Sequence, residues 1–255
     1  MGTLTRRLAR IVNVPLGALG LQLSRRRSFS PANGHVGDYI DAKSTIRAAR
    51  REGISVAVYL DRLWGEAGVT QRVIDDMEGA IDWPARDLVV CEIGTGSGKF
   101  AEELIRRRAP ARYESYEPDV DWAEWLVTTH GIVSHPSDGR TLAHTADGSV
   151  DLVVAHGVFV YTPIVTTLRY FAEMARVARA GGYAVFDVFT EDCFAGPEKA
   201  AWLQSELTYP VLVPRTMVLG EFATRGFSLR HEFFGTIGPG KSRYFVFQRE
   251  GGGAR

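Results

Sequence analysis

The chain predicts an α/β fold: a mostly parallel sheet with helices on both faces, preceded by a helical cap and closed by an antiparallel strand pair. Three observations carry this. Between Asp87 and Phe189, apolar runs of strand length alternate with segments of helical apolar spacing, as strand–helix–strand crossovers require. The stretch Leu88–Phe100 leads from an apolar run through Glu92 and three alternate glycines into a helix-like segment. Residues 227–248 break the alternation and read as two strands joined by a tight connection.

The elements follow in order. Residues 1–37 contain six arginines and no acid. Within Leu4–Leu23, Arg6, Arg7 and Arg10 alternate with Leu4, Leu8, Ile11 and Val12, and Pro15 and Gly17 interrupt the pattern. This basic amphipathic stretch is expected to form an extra helix or arm. Peripheral contact of residues 4–27 with an anionic membrane surface is its functional alternative, and an organelle transit peptide is another. Ser24–Gly37 reads as a linker. Apolar spacing of three and four predicts helices over Thr45–Arg51, Val56–Leu63 and Thr70–Ile81, and Trp83-Pro84 ends that region. Leu88–Ile93, Arg112–Tyr116, Val150–Ala155 and Gly182–Phe189 read as strands, with helices over Lys99–Arg108, Val120–His130 and Ile164–Ala178 between them. The closing strands are Phe227–Phe234 and Ser242–Gln248, joined by Gly235–Lys241. The chain thus divides into a basic segment and linker (1–37), a helical cap (38–86), a ligand-binding domain (87–250) and a flexible tail (251–255).

Composition narrows the function. Lys+Arg and Asp+Glu both total 30 in 255 residues, so overall charge gives no reason to expect nucleic acid as partner. Cys91 and Cys193 are the two cysteines, too few for a disulfide framework, which fits a reducing compartment and a cytoplasmic location. No run reaches the roughly 18 apolar residues of a membrane span. His130, His135 and His144 lack metal-ligand spacing and are expected on surface loops.

The glycine stretch suits a nucleotide, because glycine adopts positive φ and lets a ligand approach the backbone, and the helix start that follows offers free N–H groups. A phosphate loop is excluded. Three residues rather than four separate Gly94 from Gly98, and Phe100 stands where a magnesium-binding hydroxyl belongs. The dinucleotide fingerprint fails from Gly94, where Lys99 takes the third glycine position, but Gly96-x-Gly98-x-x-Ala101 is an allowed variant. Nicotinamide binding therefore stays open beside the third pattern, ExGxGxG.

Glu92-Ile93-Gly94-Thr95-Gly96-Ser97-Gly98 resembles motif I of class I S-adenosylmethionine-dependent methyltransferases. Later segments match in order. Glu117, nineteen residues after Gly98 and followed by Pro118, resembles the acid that grips the ribose hydroxyls. Asp138-Gly139 resembles the motif whose acid meets the adenine amino group. Val150–Phe159 resembles the strand beside which substrate sits, and Tyr170–Gly182 resembles the E-x-x-R-V-L-x-P-G-G segment, with Ala178 and Ala180 in place of Leu and Pro. The resemblance covers residues 87–249. It implies a Rossmann-like seven-stranded sheet and S-adenosyl-L-methionine as cofactor. The implied cofactor-binding residues are Glu92, Gly94, Thr95, Gly96, Gly98, Glu117, Pro118, Asp138, Gly139 and His156. No metal is implied.

Within that family, Ala155-His156-Gly157 lacks the clustered acids of catechol-type enzymes, and Val160-Tyr161-Thr162-Pro163 differs from the Asn/Asp-Pro-Pro-Tyr of amino methylation. The paired-glutamate loop of arginine methylation is missing as well. The expected reaction is therefore metal-independent O-methylation of a small molecule, glycan or glycolipid precursor. The alternatives are an NAD(P)-dependent oxidoreductase and a catalytically silent binding module. His156 is the first candidate base, since imidazole titrates near neutrality. Tyr161 is a candidate for orienting substrate, and Glu191 and Asp192 are further candidate bases, with a helix-capping role as their alternative. His35 and Tyr39 precede the core and are assigned to a lid. An insert, Pro197–Glu221, carries Trp202, Leu203, Leu207, Tyr209, Val211 and Leu212 as an apolar face. With residues 38–82 it is expected to roof the acceptor pocket or, equally, to cover the core.

Overall fold

The computed structural model describes residues 40–65, 67–85, 87–205 and 210–251. The basic segment, the linker, His35 and Tyr39 lie outside the described residues, as do Leu207 and Tyr209.

Three helices come first. Helix α1 (Ala42–Glu52) starts at Asp41, whose carboxylate accepts a hydrogen bond from Ser44 N at 2.8 Å, and stops at Gly53 in the left-handed region. Helix α2 (Val56–Leu63) is capped by the Ser55 hydroxyl, which accepts from Val58 N at 3.2 Å. Helix α3 covers Val69–Glu78. The cap is not one layer. Ala42, Ala49, Val56, Tyr59 and Leu60 of α1 and α2 pack on Trp122, whereas Val69, Val73, Ile74 and Met77 of α3 join the core beneath the sheet.

Seven strands follow, in the spatial order β3-β2-β1-β4-β5-β7-β6. They are β1 (Val89–Ile93), β2 (Arg112–Tyr116), β3 (Val133–Ser134), β4 (Val150–Ala155), β5 (Ala178–Val188), β6 (Phe227–Ile237) and β7 (Gly240–Arg249). Strands β1 to β5 pair in parallel, and β7 runs antiparallel to both β5 and β6. Helices α4 (Lys99–Arg108), α5 (Val120–His130), α6 (Ile164–Val177), α7 (Gly196–Gln204) and α8 (Arg215–Ala223) complete the fold. This is the expected Rossmann-like arrangement. Strand order reverses between β1 and β4, which opens a crevice beyond their carboxyl ends.

Alternation along the strands builds two cores. Ala184, Phe186 and Val188 of β5 and Phe245 and Phe247 of β7 face α6 and α8, where Phe222 stacks on Phe247 at 4.4 Å between centroids. Tyr183, Val185, Tyr244 and Val246 face the opposite way, toward α3, α4 and α5. Across the pair, Phe186 lies opposite Phe245 and Val185 opposite Val246. The two faces are thus held in one register, since a slip of one residue would exchange them.

Several boundaries differ from the sequence reading, most of all around β5 and the closing hairpin. Strand β5 begins at Ala178, directly after α6, because Ala178 pairs with Val150 before an irregularity in the register. Strand β6 continues to Ile237 and the connection shrinks to Gly238-Pro239. Gly235 belongs to the strand: a Cβ there would lie 2.6 Å from the Tyr244 ring, so close packing and not a turn requires glycine. The insert does not present a single apolar face. Trp202 is buried against Phe189 and Cys193, while Leu203 is 76% exposed and Leu212 is exposed as well.

Candidate functional site

A cavity of about 590 Å³ lies over the carboxyl ends of the central strands, lined by the glycine loop, Glu117, Pro118, Ser137, Gly139, His156, Tyr161, Asp187 and cap residues. Gly94, Gly96 and Gly98 all take positive φ, at 64°, 56° and 81°. The outer two are also needed for space. A Cβ on Gly94 would stand 2.8 Å from Val158, and one on Gly98 2.7 Å from Leu126. Gly96 has its nearest neighbour atom at 4.0 Å and lines the cavity, so a ligand can approach its backbone.

Glu117, at the end of β2, is held by two backbone donors. Gly96 N donates to Oε2 at 2.6 Å and Asp119 N donates to Oε1 at 2.8 Å. Burial raises its pKa. Each oxygen keeps lone-pair capacity for a further donor, so the side chain is fixed in place while able to accept vicinal hydroxyls. Thr95 lines the cavity and shares a 2.7 Å hydrogen bond with the Ser115 hydroxyl. Glu92 sits beneath the loop and is not among the lining residues. It is buried, accepts from Tyr113 Oη at 2.7 Å, and burial pushes its pKa up to about 7.

Other expected residues land elsewhere. The Asp138 carboxylate is exposed and closes its own turn, accepting from Arg140 N at 2.8 Å, Thr141 N at 2.7 Å and Thr141 Oγ1 at 2.8 Å. Ser137 and Gly139 form the cavity wall there. Asp192 lies in a short 3₁₀ turn (Glu191–Phe194) away from the lining and pairs with Arg243 and Thr190, so it is a structural ion pair and not a base at the site. Glu191 accepts from Arg215 N at 3.1 Å, at the start of α8. His130 ends α5 and is half-buried beside Gly98, so it is not on a surface loop as expected, whereas His135 follows β3 on a loop, half-buried 3.3 Å from Glu114, and His144 lies exposed in a turn. Among the described residues, no group of three or more His, Cys, Asp or Glu side chains is arranged to hold a metal ion.

His156 follows β4 and lines the cavity, but its environment corrects the expectation of a base. It is 8% exposed, stacks on Phe100 at 4.1 Å and lies 5.8 Å from the Tyr244 ring. Burial, with the Lys99 charge nearby, drives its pKa down to about 3. The imidazole is therefore neutral, and too weak a base for a hydroxyl proton. Neither ring nitrogen has a hydrogen-bond partner within the described residues. Tyr161 lines the mouth, where desolvation and the carboxylates of Glu117 and Asp187 push its phenol up to about 12.

Asp187 was missed by the sequence reading. It lies on β5, 1% exposed, lines the cavity and accepts from Gly157 N at 2.7 Å. Ser242 lies beside it, and burial pushes its pKa up to about 6. A signal existed: Tyr183–Phe189 holds one charged residue in an otherwise apolar strand, and buried carboxylates need a reason.

The roof differs from expectation too. Ile40, Trp64 and Val69 of the cap, with Thr236, Ile237 and Tyr244 of the hairpin, close over the cavity, while the described part of the 197–221 insert contributes no lining residue. Lys99 ties the roof down: its Nζ donates to Asp61 Oδ1 of α2 at 3.1 Å and lies 4.9 Å from the Trp64 ring centroid.

The "Methyltransferase domain" family model matches residues 66–232. A search of the curated proteins returns no match. Among solved structures, a magnesium protoporphyrin IX methyltransferase from Synechocystis PCC 6803 with bound S-adenosylmethionine is 13% identical, with a TM-score of 0.55 over 83% of this chain and 99% of that one. An O-methyltransferase family protein from Burkholderia thailandensis is 15% identical, with a TM-score of 0.56 over 78% and 60%. A Haloferax volcanii protein described as a putative methyltransferase, in complex with the Trm112 activator, is 14% identical, with a TM-score of 0.53 over 74% and 96%.

Proposed function

The chain belongs to the methyltransferase-domain family, and from this premise we propose that it is an S-adenosylmethionine-dependent enzyme that methylates a hydroxyl of a small, largely apolar acceptor. The observation that carries the acceptor reading is the two-sided cavity. One wall has the glycine loop, Glu117, Ser137 and Gly139, and the other has Trp64, Val69, Phe100, Ile237 and Tyr244. The first wall fits a nucleoside and the second fits an apolar ring or chain.

The cofactor, when bound, supplies an electrophilic methyl group on a sulfonium sulfur. Glu117 would accept from the ribose hydroxyls, the Gly96 backbone would lie against the ligand, and Ser137 and Gly139 would border the base. Trp64 and Ile40 exclude water from above, which strengthens each polar contact inside. Lys99 and Asp61 hold that cover in place. The two cysteines are free and buried, which supports a cytoplasmic location, with residues 4–27 as the contact to an anionic membrane surface. No helix among the described residues is long and apolar enough to cross a membrane.

Calorimetric titration with S-adenosylmethionine, S-adenosylhomocysteine and NAD(H), each alone, tests the cofactor class. Binding of the first two, lost in Gly96→Arg, supports the reading. Binding of NAD(H) alone would replace it with the nicotinamide alternative. Methyl transfer to oxygen, nitrogen and sulfur acceptors of similar shape then tests the acceptor atom.

A further inference from the structure

We propose that Asp187 is the catalytic residue that takes the proton from the acceptor hydroxyl, and that His156 beside it is a positioning residue; this rests on the hydroxyl-methylation reading above. Phe186 pairs with Ala155 across β4 and β5. The next residues along these strands, Asp187 and His156, both line the cavity. One brings a carboxylate held by Gly157 N, and the other brings two ring nitrogens without a partner among the described residues. A neutral imidazole offers one donor and one acceptor, which suits a hydroxyl group that must be aimed at a carboxylate.

The remaining ionisable groups on the lining are occupied or unsuited. Glu117 is engaged by Gly96 N and Asp119 N, and Asp119 caps α5 through Asp121 N and Trp122 N. Lys99 is paired with Asp61. Tyr161 and Tyr170 have raised pKa values. The groups around Asp187 are His156 on the β4 side, Tyr161 in the turn beyond it, and Ser242 and Tyr244 on β7. Arg243 is spent on Asp192 and Glu232. A carboxylate of pKa about 6 is ionised at neutral pH and basic enough to take a proton as it becomes acidic in the transition state.

The step balances. The acceptor O–H bond breaks and its electron pair stays on oxygen, where the new C–O bond forms. The pair of the broken C–S bond returns to sulfur, and the proton goes to the Asp187 carboxylate. A hydroxyl, a sulfonium and a carboxylate become a methyl ether, a thioether and a carboxylic acid, with no net change in charge.

The test uses the full chain saturated with S-adenosylhomocysteine, titrated calorimetrically with 4-methylphenol and with 4-methylanisole, which has no hydroxyl. The charge-assisted bond from the phenol needs ionised Asp187, so its affinity should fall about tenfold as pH drops from about 7.5 to about 5. Anisole affinity should stay flat, and Asp187→Asn should be flat and weak for the phenol. Parallel loss of phenol and anisole binding would make Asp187 only a support for the Gly157 turn. An unchanged pH dependence in Asp187→Asn would assign the proton to another group. Either result leaves the methyltransferase reading standing. Phenol that does not bind the loaded chain at all would remove the hydroxyl reading, and this inference with it. If Asp187→Asn does not fold, Asp187→Ser serves instead. It removes the carboxylate and should likewise be flat and weak for the phenol, whereas a retained pH dependence overturns the assignment.

Discussion

Gly96 N donates to Glu117 Oε2 at 2.6 Å, so the middle of the glycine loop is bonded to the acid at the end of the neighbouring strand. Loop shape and acid position are set by one contact. Glu117→Ala should weaken S-adenosylmethionine binding by about 1.5–3 kcal/mol, the worth of hydrogen bonds to a charged group. Glu117→Gln should recover part of it. Calorimetry checks both, and unchanged affinity in the alanine variant would remove Glu117 from the ribose role.

The glycines of the loop should separate by phenotype. Gly98→Ala puts a methyl 2.7 Å from Leu126 in a closely packed core, so it should lower stability by about 1–3 kcal/mol. Gly96→Ala meets no close atom, so its cost is the positive φ of 56°, about 1–2 kcal/mol, with a larger loss in cofactor affinity than Gly98→Ala relative to stability. Thermal unfolding and cofactor titration on the same two variants decide this. Equal ratios in both would show that the loop acts as a single packing unit.

Two buried groups should bend the stability curve in opposite directions. His156 has a folded pKa of about 3 against the ordinary imidazole value of 6.5. The unfolded chain binds the extra proton between those values, and the group costs stability as pH falls through that window. Glu92 is raised from 4.5 to about 7, so the folded chain holds the extra proton there and stability falls as pH rises from 4.5 toward 7. His156→Phe should flatten the acid side, and Glu92→Gln should flatten the neutral side. Denaturant unfolding across this range gives the answer, and variants that keep the wild-type slope would count against these assignments.

The ion pair between Lys99 and Asp61 joins the roof to the first residue of α4, with side chains 12% and 9% exposed. Asp61→Leu should destabilise by about 2–4 kcal/mol because it takes the Asp61 carboxylate away from a largely buried Lys99. Adding Lys99→Met should restore much of that loss. A double variant as unstable as the sum of the singles would show that the pair acts through packing alone.

The sequence showed much of this arrangement, for physical reasons. Lys99–Arg108, Arg112–Tyr116, Val120–His130 and Val150–Ala155 match their predicted bounds, because each combines a clear apolar period with a local stop. Gly131, for instance, ends α5 at a φ of 66°. The glycine loop and Glu117 were legible because their order is local. What escaped depends on distant partners. Asp187 matters because Gly157 and Ser242 meet it, and Asp192 is diverted by Arg243. His156 carries the residue type of a base, yet its titration is decided by Phe100, Tyr244 and Lys99, which come from two other elements. Gly235 looked like a turn residue because a missing side chain reads the same whether it frees a φ angle or admits a ring.

The irregularity between β4 and β5 falls between Val150 and Leu152, at the amino ends of both strands, while pairing is regular from Leu152–Tyr183 up to Ala155–Phe186. The slack in this sheet is therefore stored at the end remote from the cavity. Insertions or deletions among Arg179–Gly182 would be absorbed as a different bulge, leaving His156 and Asp187 abreast. One residue added or removed at Phe186 would have no such reservoir and would turn the carboxylate out of the pocket. Descendants of this chain are thus free to vary in length along one rim of the sheet and constrained along the other.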